Sequence, residues 1–187
     1  MLHVLDRRQQ NITVVMENIF DPHNVFAIMR TCDAVGIQDV YIISTKMPKH
    51  KKAGKGSARS ANKWVTALHF TDTKACIAEL RNHYTKIFTT RFGDNTISVF
   101  DIDFTENIAL VFGNEQHGVS DELCSLCDGN FLIPQIGMIP SLNVSVACAV
   151  TLYEAFRQKS MAGHYAIPSL PVERKQGLLN EWGVFES

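Results

Sequence analysis

The stretch Ile-Pro-Gln-Ile-Gly-Met-Ile-Pro-Ser-Leu-Asn-Val-Ser, residues 133–145, joins an apolar segment to a segment rich in small residues. Strand-to-helix connections in α/β domains usually take about two to six residues, and longer ones tend to be functional. Pro134 and Pro140 restrict the backbone, whereas Gly137 frees it. The pattern therefore predicts a loop held in one shape, with backbone groups available to a ligand and with Ser141 as the cap of the following helix.

The chain on either side of this loop alternates between strand-length apolar runs and helix-length segments. The predicted strands are 12–16, 39–43, 64–70, 86–90, 108–112 and 131–133, and the predicted helices are 22–35, 73–84, 120–127 and 142–158. Several strands are apolar at nearly every position, as in strands covered on both faces. Repeated βα units predict an α/β fold, a parallel sheet with helices on both faces, whose ligands bind beyond the carboxyl ends of the strands.

The chain of 187 residues has the length of one α/β domain with short tails. We expect a single domain over 1–163 and a C-terminal extension over 164–187, in which Leu178, Leu179 and Trp182 predict a docking helix. The sequence has no apolar run long enough to span a membrane and no secretory signal, which predicts a cytoplasmic protein. Five cysteines at irregular spacing are typical of reduced thiols, so we expect no disulfides.

Positive charge is concentrated between residues 46 and 63, which hold seven Lys or Arg and no Asp or Glu. The remaining chain has eleven basic and 19 acidic residues, a net charge of −8. Two interpretations remain open: a solvated loop, or a surface that binds a polyanion such as RNA. In the second case the phosphate-binding residues would be Lys49, Lys51, Lys52, Lys55 and Arg59.

The turn from Gly113 to Gly118 directly follows a buried strand and carries Glu115 to the carboxyl edge of the sheet. A charge there is difficult to explain by packing, which favours a functional role over a plain turn. Arg30 follows the inward-facing Met29, and its guanidinium either reaches solvent or holds an anion.

Several common chemistries are not supported by the sequence. The pair Cys124-x-x-Cys127 has no partner pair, so no metal site is predicted. Ser141 lacks a Gly-x-Ser-x-Gly elbow, so capping is a better interpretation than nucleophilic catalysis. Neither of the common glycine-rich phosphate-binding motifs is present.

Three separated segments resemble, in order, the three motifs of the SpoU branch of the SPOUT RNA methyltransferases. The segments are Asn24-Val-Phe-Ala-Ile-Met-Arg-Thr-Cys-Asp-Ala-Val-Gly36, Leu110-Val-Phe-Gly-Asn-Glu-Gln-His-Gly118, and Ile133-Pro134 with Ser141-Leu-Asn-Val-Ser145. The resemblance implies a SPOUT fold with a C-terminal deep trefoil knot that includes the loop from Ile133. It also implies a homodimer with its active site at the subunit interface.

The resemblance further implies that S-adenosyl-L-methionine is held by backbone groups, with no metal. The cofactor-binding positions carried over from the family are Thr90, Gly113, Ile133, Met138 and Leu142. Arg30 would lie beside the target ribose, arranged by Asn24, Glu115, Ser141 and Asn143. In the family this arginine is assigned as the base for the 2'-hydroxyl, but a guanidinium pKa lies above about 12. Stabilisation of the developing alkoxide is the alternative role.

The phrases Val-Met-Glu-Asn, Asp-Pro-His-Asn and Ser-Leu-Asn-Val-Ser are most similar to the tRNA guanosine 2'-O-methyltransferases that act in the D-loop. This similarity implies tRNA as the substrate. The alternatives are a ribose in ribosomal RNA, an anticodon-loop nucleotide of tRNA, and a family member that binds RNA without catalysis. Phe26 stands where relatives often have a small residue, and the RNA-binding N-terminal extension of some relatives would be reduced to residues 2–10, so the range of accepted tRNAs stays open.

Overall fold

The computed structural model describes residues 1–46, 61–93 and 95–183, with the side chains of residues 61 and 62 left out. The predicted phosphate-binding residues Lys49, Lys51, Lys52, Lys55 and Arg59 lie outside these ranges. The described residues form seven strands: β1 (Ile12–Glu17), β2 (Asp39–Ile43), β3 (Thr66–Phe70), β4 (Lys86–Thr90), β5 (Ile97–Ser98), β6 (Ile108–Phe112) and β7 (Gly129–Leu132). The described helices are α1 (Leu2–Leu5), α2 (Pro22–Ala34), α3 (Ala61–Trp64), α4 (Thr73–Arg81), α5 (Asp121–Ser125), α6 (Val144–Met161) and α7 (Val172–Glu181).

The strands form one sheet in the order β3-β2-β1-β6-β4-β7-β5, and every pair of neighbouring strands is parallel. The central strands β1 and β6 are buried at every position, as their apolar sequences predict. β1 lies between β2 and β6. The strands up to β3 are added on one side of β1 and the strands from β4 onward lie on the other side, so the order of strands reverses beside β1. Such a switch point opens a crevice at the carboxyl ends of the strands.

Helices cover both faces of the sheet, which confirms the predicted α/β fold. On one face, Val14 and Met16 of β1 pack with residues of α2 and α6, among them Ile28 and Leu152. On the other face, Val15 packs with residues of α4 and α5. The sheet lies between these two apolar layers. The strand ends therefore have fixed positions relative to α2 and α6 on one face and to α4 and α5 on the other.

Local sequence signals account for the ends of α2. The Asp21 side chain caps the helix by accepting a hydrogen bond from the His23 amide at 2.9 Å, and Pro22 is the first helical residue. Gly36 has a φ of +86°, and a Cβ there would lie 2.7 Å from the Arg7 carbonyl oxygen. Glycine is therefore required where the chain turns from α2 into β2.

The predicted cap of α6 is wrong. The helix begins at Val144 and is capped by Asn143, whose Oδ1 accepts hydrogen bonds from the amides of Ser145 (2.8 Å) and Val146 (3.4 Å). Both Ser141 and Asn143 are good capping residues, and the sequence alone does not decide between them. The shift by two residues leaves Ser141 and Leu142 in the loop.

Several strands also differ from the prediction, and β7 spans Gly129–Leu132 instead of 131–133. Trp64 ends the short helix α3, so β3 begins at Thr66 and is shorter than expected. The edge strand β5 was not predicted, because a strand of two residues has no apolar run to reveal it.

The C-terminal helix α7 lies against the N-terminal segment. Leu178, Leu179 and Trp182 form a separate apolar cluster with Leu5, and Trp182 meets Trp64 edge-to-face at 5.1 Å between ring centroids. This cluster lies apart from the two layers that cover the sheet.

A buried arginine lies beside this cluster. The Arg8 side chain forms an ion pair with Asp33 at 2.7 Å, and its guanidinium lies over the Trp182 ring at 5.7 Å. Arg8 thereby links Trp182, at the end of α7, to Asp33 in the last turn of α2.

Candidate active site

A cleft of about 890 Å³ opens at the carboxyl ends of β4, β6 and β7. Four of the five predicted cofactor-binding residues line it: Thr90, Gly113, Ile133 and Leu142. Thr90 is held at the end of β4 by a hydrogen bond from Oγ1 to the Val111 carbonyl at 3.1 Å. The fold therefore brings together loops that follow three different strands. A volume of this size is within the range of small-molecule sites.

Met138 is the fifth predicted cofactor-binding residue. It lies in the loop between β7 and α6 with a fully exposed side chain, and it is not part of the cleft wall. Ile136 and Ile139 of the same loop are also exposed. A contact between the Met138 backbone and the cofactor stays a prediction.

The turn after β6 can be formed only with glycine at position 113. A Cβ on Gly113 would lie 2.2 Å from the carbonyl carbon of Gly118, closer than non-bonded atoms approach. The backbones of Asn114 and Gly118 close the turn with two hydrogen bonds of 3.1 and 2.8 Å. The buried strand therefore ends in a tight turn that presents Glu115 at the rim of the cleft.

Three of the predicted catalytic side chains form a chain of hydrogen bonds. Asn24 Nδ2 donates to Glu115 Oε1 at 2.7 Å, and Asn143 Nδ2 donates to Asn24 Oδ1 at 3.1 Å. Asn24 is largely buried, whereas Glu115 and Asn143 are exposed and line the cleft. The amide of Asn24 thus links α2, the turn after β6 and the start of α6.

The other two predicted catalytic residues have different positions. Ser141 is exposed and lines the cleft. Arg30 is exposed on α2, does not line the cleft, and within the described residues has no ion pair or side-chain hydrogen bond. Six residues after Asn24 in a helix, it is about 9 Å further along the axis and about 120° around it. One copy of the chain therefore does not bring Arg30 to the three linked side chains.

The SpoU rRNA Methylase family matches residues 11–153, a range that includes the sheet, the cleft and all three linked side chains. The chain belongs to the SpoU methylase family.

Individual SpoU relatives match over nearly the whole chain. A tRNA (guanosine(18)-2'-O)-methyltransferase of Thermus thermophilus is 39% identical over 181 residues, which are 96% of this chain and 91% of the relative. The crystal structure of the A. aeolicus TrmH/SpoU tRNA modifying enzyme superposes with a TM-score of 0.86 at 36% identity, covering 98% of this chain and 94% of that one. The SpoU methyltransferase AviRb from Streptomyces viridochromogenes, solved with the cofactor AdoMet, gives a TM-score of 0.68 at 27% identity, covering 83% and 62%.

The sequence analysis missed two residues that support the site of this SpoU protein. Glu17 is the last residue of β1 and Asn18 follows it, and both are buried, at 2% and 7% exposure. The Glu17 carboxylate accepts hydrogen bonds from the amide and hydroxyl of Ser120, at 2.7 and 2.5 Å. The available signal was a pair of polar residues directly after an apolar strand, the same signal that identified Glu115.

The described residues of the SpoU chain contain no group of three or more His, Cys, Asp or Glu side chains that could hold a metal. All five cysteines are free, and Cys127 Sγ donates to the Leu123 carbonyl at 3.1 Å. Burial raises the pKa of Cys127 to about 12, so the thiol is protonated at neutral pH. Within residues 1–46, 61–93 and 95–183, no helix is both long and apolar enough to span a membrane.

Proposed function

We propose that this SpoU protein transfers a methyl group from S-adenosyl-L-methionine to the 2'-hydroxyl of a ribose in tRNA, and that the target is a guanosine of the D-loop. The observation that carries the proposal is the chain of hydrogen bonds from Asn143 through Asn24 to Glu115 at the rim of a cleft formed by strand ends. The name of the 39% identical Thermus thermophilus relative supports tRNA as the substrate and guanosine as the target nucleotide.

The cleft fits a cofactor that is held mainly by backbone groups. Its walls include the tight turn at Gly113 and the two ends of the loop between β7 and α6, at Ile133 and at Pro140 to Leu142, and the turn at Gly113 has no room for a side chain. Thr90 closes the side formed by β4. When bound, S-adenosyl-L-methionine supplies the methyl group as an electrophile. The AdoMet complex of AviRb, a relative of the same family, supports this assignment.

Arg30 would act on the ribose as a cation. A guanidinium offers five N–H donors and no acceptor, so it can stabilise a negative oxygen but does not take up its proton. In this role Arg30 would stabilise the 2'-oxygen while the hydroxyl proton passes to solvent water and the oxygen takes the methyl group, which leaves the cofactor as a neutral thioether. Glu115 and Asn143 would hold the nucleotide in line with the methyl group. Ser141 lines the cleft two residues before the cap of α6 and would contact the same nucleotide.

We propose that the active unit is a homodimer, because the site of one copy lacks Arg30. An apolar face of α6 is available for a second copy, since Val146, Val150 and Tyr153 are 47%, 37% and 54% exposed. These residues are spaced at i, i+4 and i+7, so they lie on one side of the helix. The face begins at the N-terminal turn of α6, directly beside Asn143.

We also propose the finer features of the fold that the family implies. The loop from residue 133 to 142 would be part of a deep trefoil knot, a proposal supported by the high similarity to the A. aeolicus enzyme. Residues 1–163 would form the methyltransferase domain, with 164–187 as an extension docked through α7. An experimental structure in which the chain after β7 does not thread the preceding loop would contradict the knot.

Methylation of unmodified tRNA by the purified protein tests the proposed function. The assay uses labelled S-adenosyl-L-methionine, and mass spectrometry of nuclease digests locates the methylated ribose. We expect one 2'-O-methylguanosine in the D-loop, and Arg30→Ala should lose at least about 100-fold in rate. Tight tRNA binding without cofactor binding would indicate instead an RNA-binding protein without catalysis.

Ribosomal RNA is the second candidate substrate, because the matching family is described by rRNA methylation. The same digestion and mass spectrometry applied to a 23S rRNA transcript distinguishes the two. An anticodon-loop product would be recognised in the tRNA digest by its position.

The basic segment 46–63 would bind the phosphates of the RNA. Replacing Lys49, Lys51, Lys52 and Lys55 by Ser should weaken tRNA binding and reduce its salt dependence by up to about four charges, with cofactor affinity unchanged. Equal tRNA affinities of the wild type and of this fourfold variant at several salt concentrations would favour the solvated-loop interpretation.

A further inference from the structure

Asn18, the residue after β1, has a left-handed backbone conformation and forms hydrogen bonds with two different loops. Its φ is 51°, in the left-handed region that few residues other than glycine and asparagine adopt. The residue is 7% exposed, at the carboxyl end of β1 and beside the cleft. A buried polar residue in this conformation persists only when its contacts compensate for it.

The side chain of Asn18 holds the chain where it leaves β2. Nδ2 donates to Thr45 Oγ1 at 3.0 Å, and Oδ1 accepts from the amide of Lys46 at 3.0 Å. The Asn18 amide also donates to the Ile43 carbonyl at 2.8 Å. Lys46 lines the cleft, so Asn18 fixes one residue of the cleft wall relative to the end of β1.

The carbonyl of Asn18 holds the turn that carries Glu115. Asn114 Nδ2 donates to the Asn18 carbonyl oxygen at 2.9 Å. The Oδ1 of Asn114 in turn accepts from the amides of Gln116 and His117, at 2.9 and 3.2 Å. One residue therefore sets the position of Lys46 relative to the Glu115 turn.

We propose that Asn18 is a positioning residue that keeps Lys46 and the Glu115 turn, both on the cleft wall, aligned with the target ribose. The inference rests on the proposed function. Asn18 itself does not line the cleft, and its side chain bonds Thr45 and Lys46 rather than any of the proposed cofactor-binding residues, so cofactor affinity should be retained. RNA still binds through its phosphates, but the ribose is no longer held in line, and a displacement of about 1 Å can cost about 100-fold in rate.

The variant Asn18→Gly tests the inference, because glycine adopts the same φ without strain but lacks the amide side chain. We expect its single-turnover methylation rate, with cofactor and tRNA both saturating, to fall at least about tenfold. The dissociation constants for S-adenosyl-L-methionine and for tRNA, from calorimetry and filter binding, should change less than about threefold. Asn95→Gly is the matched control, since Asn95 also has a positive φ, 62°, and is exposed.

Asn18→Asp separates positioning from a general loss of structure. Aspartate tolerates the left-handed conformation, and its oxygens can accept from the Lys46 amide and the Thr45 hydroxyl. We expect this variant to recover most of the rate. Wild-type rates for Asn18→Gly, or a loss of cofactor affinity equal to the loss of rate, would overturn the inference while leaving the proposed function intact. A wild-type protein that methylates no tRNA would overturn both.

Discussion

Asn24 Nδ2 lies 2.7 Å from Glu115 Oε1, a hydrogen bond between two parts of the chain that are 91 positions apart. The amide is largely buried and the carboxylate is exposed at the cleft rim. Because a buried amide has few alternative partners, it holds the carboxylate in one orientation. Substitutions at Glu115 can therefore separate the effect of its charge from that of its position.

Glu115→Ala should lower the single-turnover methylation rate by about 100-fold, because both the charge and the partner of Asn24 are lost. Glu115→Gln keeps an acceptor for Asn24 and should lose about tenfold or less. Rapid-quench assays at saturating substrates measure both rates. The neighbouring Gln116→Ala is the control, and similar rates for Gln116→Ala and Glu115→Ala would contradict a role for the carboxylate.

Asn143 has two tasks that one substitution can separate. Its Oδ1 caps α6, and its Nδ2 donates to Asn24 at 3.1 Å. Asn143→Asp keeps the cap and loses the donor, so we expect nearly unchanged stability and a clear loss of activity. Asn143→Ala loses both and should lower the free energy of unfolding by about 1 kcal/mol. Urea denaturation and the methylation assay measure the two effects, and equal activity for Asn143→Asp and wild type would exclude the donor from the reaction.

The sequence predicted most strands and helices because their apolar runs and caps are local signals. β1 is mainly apolar before Glu17 and β6 is apolar throughout, and Asp21, Pro22 and Gly36 mark the ends of α2. The cap of α6 was misplaced because Ser141 and Asn143 are equally suitable by local criteria. What decides between them includes the contact of Asn143 with Asn24, 119 positions away in the chain.

The candidate site was predicted in part, mainly from the family resemblance rather than from local signals. The resemblance to a family supplied Asn24, Glu115 and Asn143, and the fold brings these three side chains together. Two polar residues after an apolar run marked Glu17 and Asn18 as unusual, but their roles consist of contacts with Ser120, Lys46 and Asn114, which that local signal does not reveal.

Lys159 gives the stability of the protein a specific pH dependence. The side chain is fully buried on α6, with Nζ donating to Asn11 Oδ1 at 2.8 Å. Burial lowers the pKa of Lys159 from 10.5 to about 8, although Asp103 opposes this shift. Between these two values the unfolded chain binds more protons than the folded protein, so this residue's contribution to stability rises with pH from about 8 to 10.5 and is lost as pH falls through that window.

The variant Lys159→Met removes this titration. At pH 7 it avoids a buried charge, and its free energy of unfolding relative to wild type should decrease by up to about 3 kcal/mol as pH rises to 10. Urea denaturation of both proteins over this range gives the difference, in which the titration of other groups cancels. A difference in the free energy of unfolding between the two proteins that does not change with pH would contradict the assignment of this pH dependence to Lys159.

Arg30 and Asn143 should belong to the same active site but to different subunits of the proposed dimer. Arg30 is turned about 120° around α2 from Asn24, which is the direct partner of Asn143. In a heterodimer of Arg30→Ala and Asn143→Asp subunits, one site then contains both substitutions and the other contains neither. Such a heterodimer, purified through two different affinity tags, should have roughly half of the wild-type activity, although each homodimeric variant is inactive. If the two residues came from one subunit, both sites would carry a substitution, and the heterodimer would be as inactive as its parents.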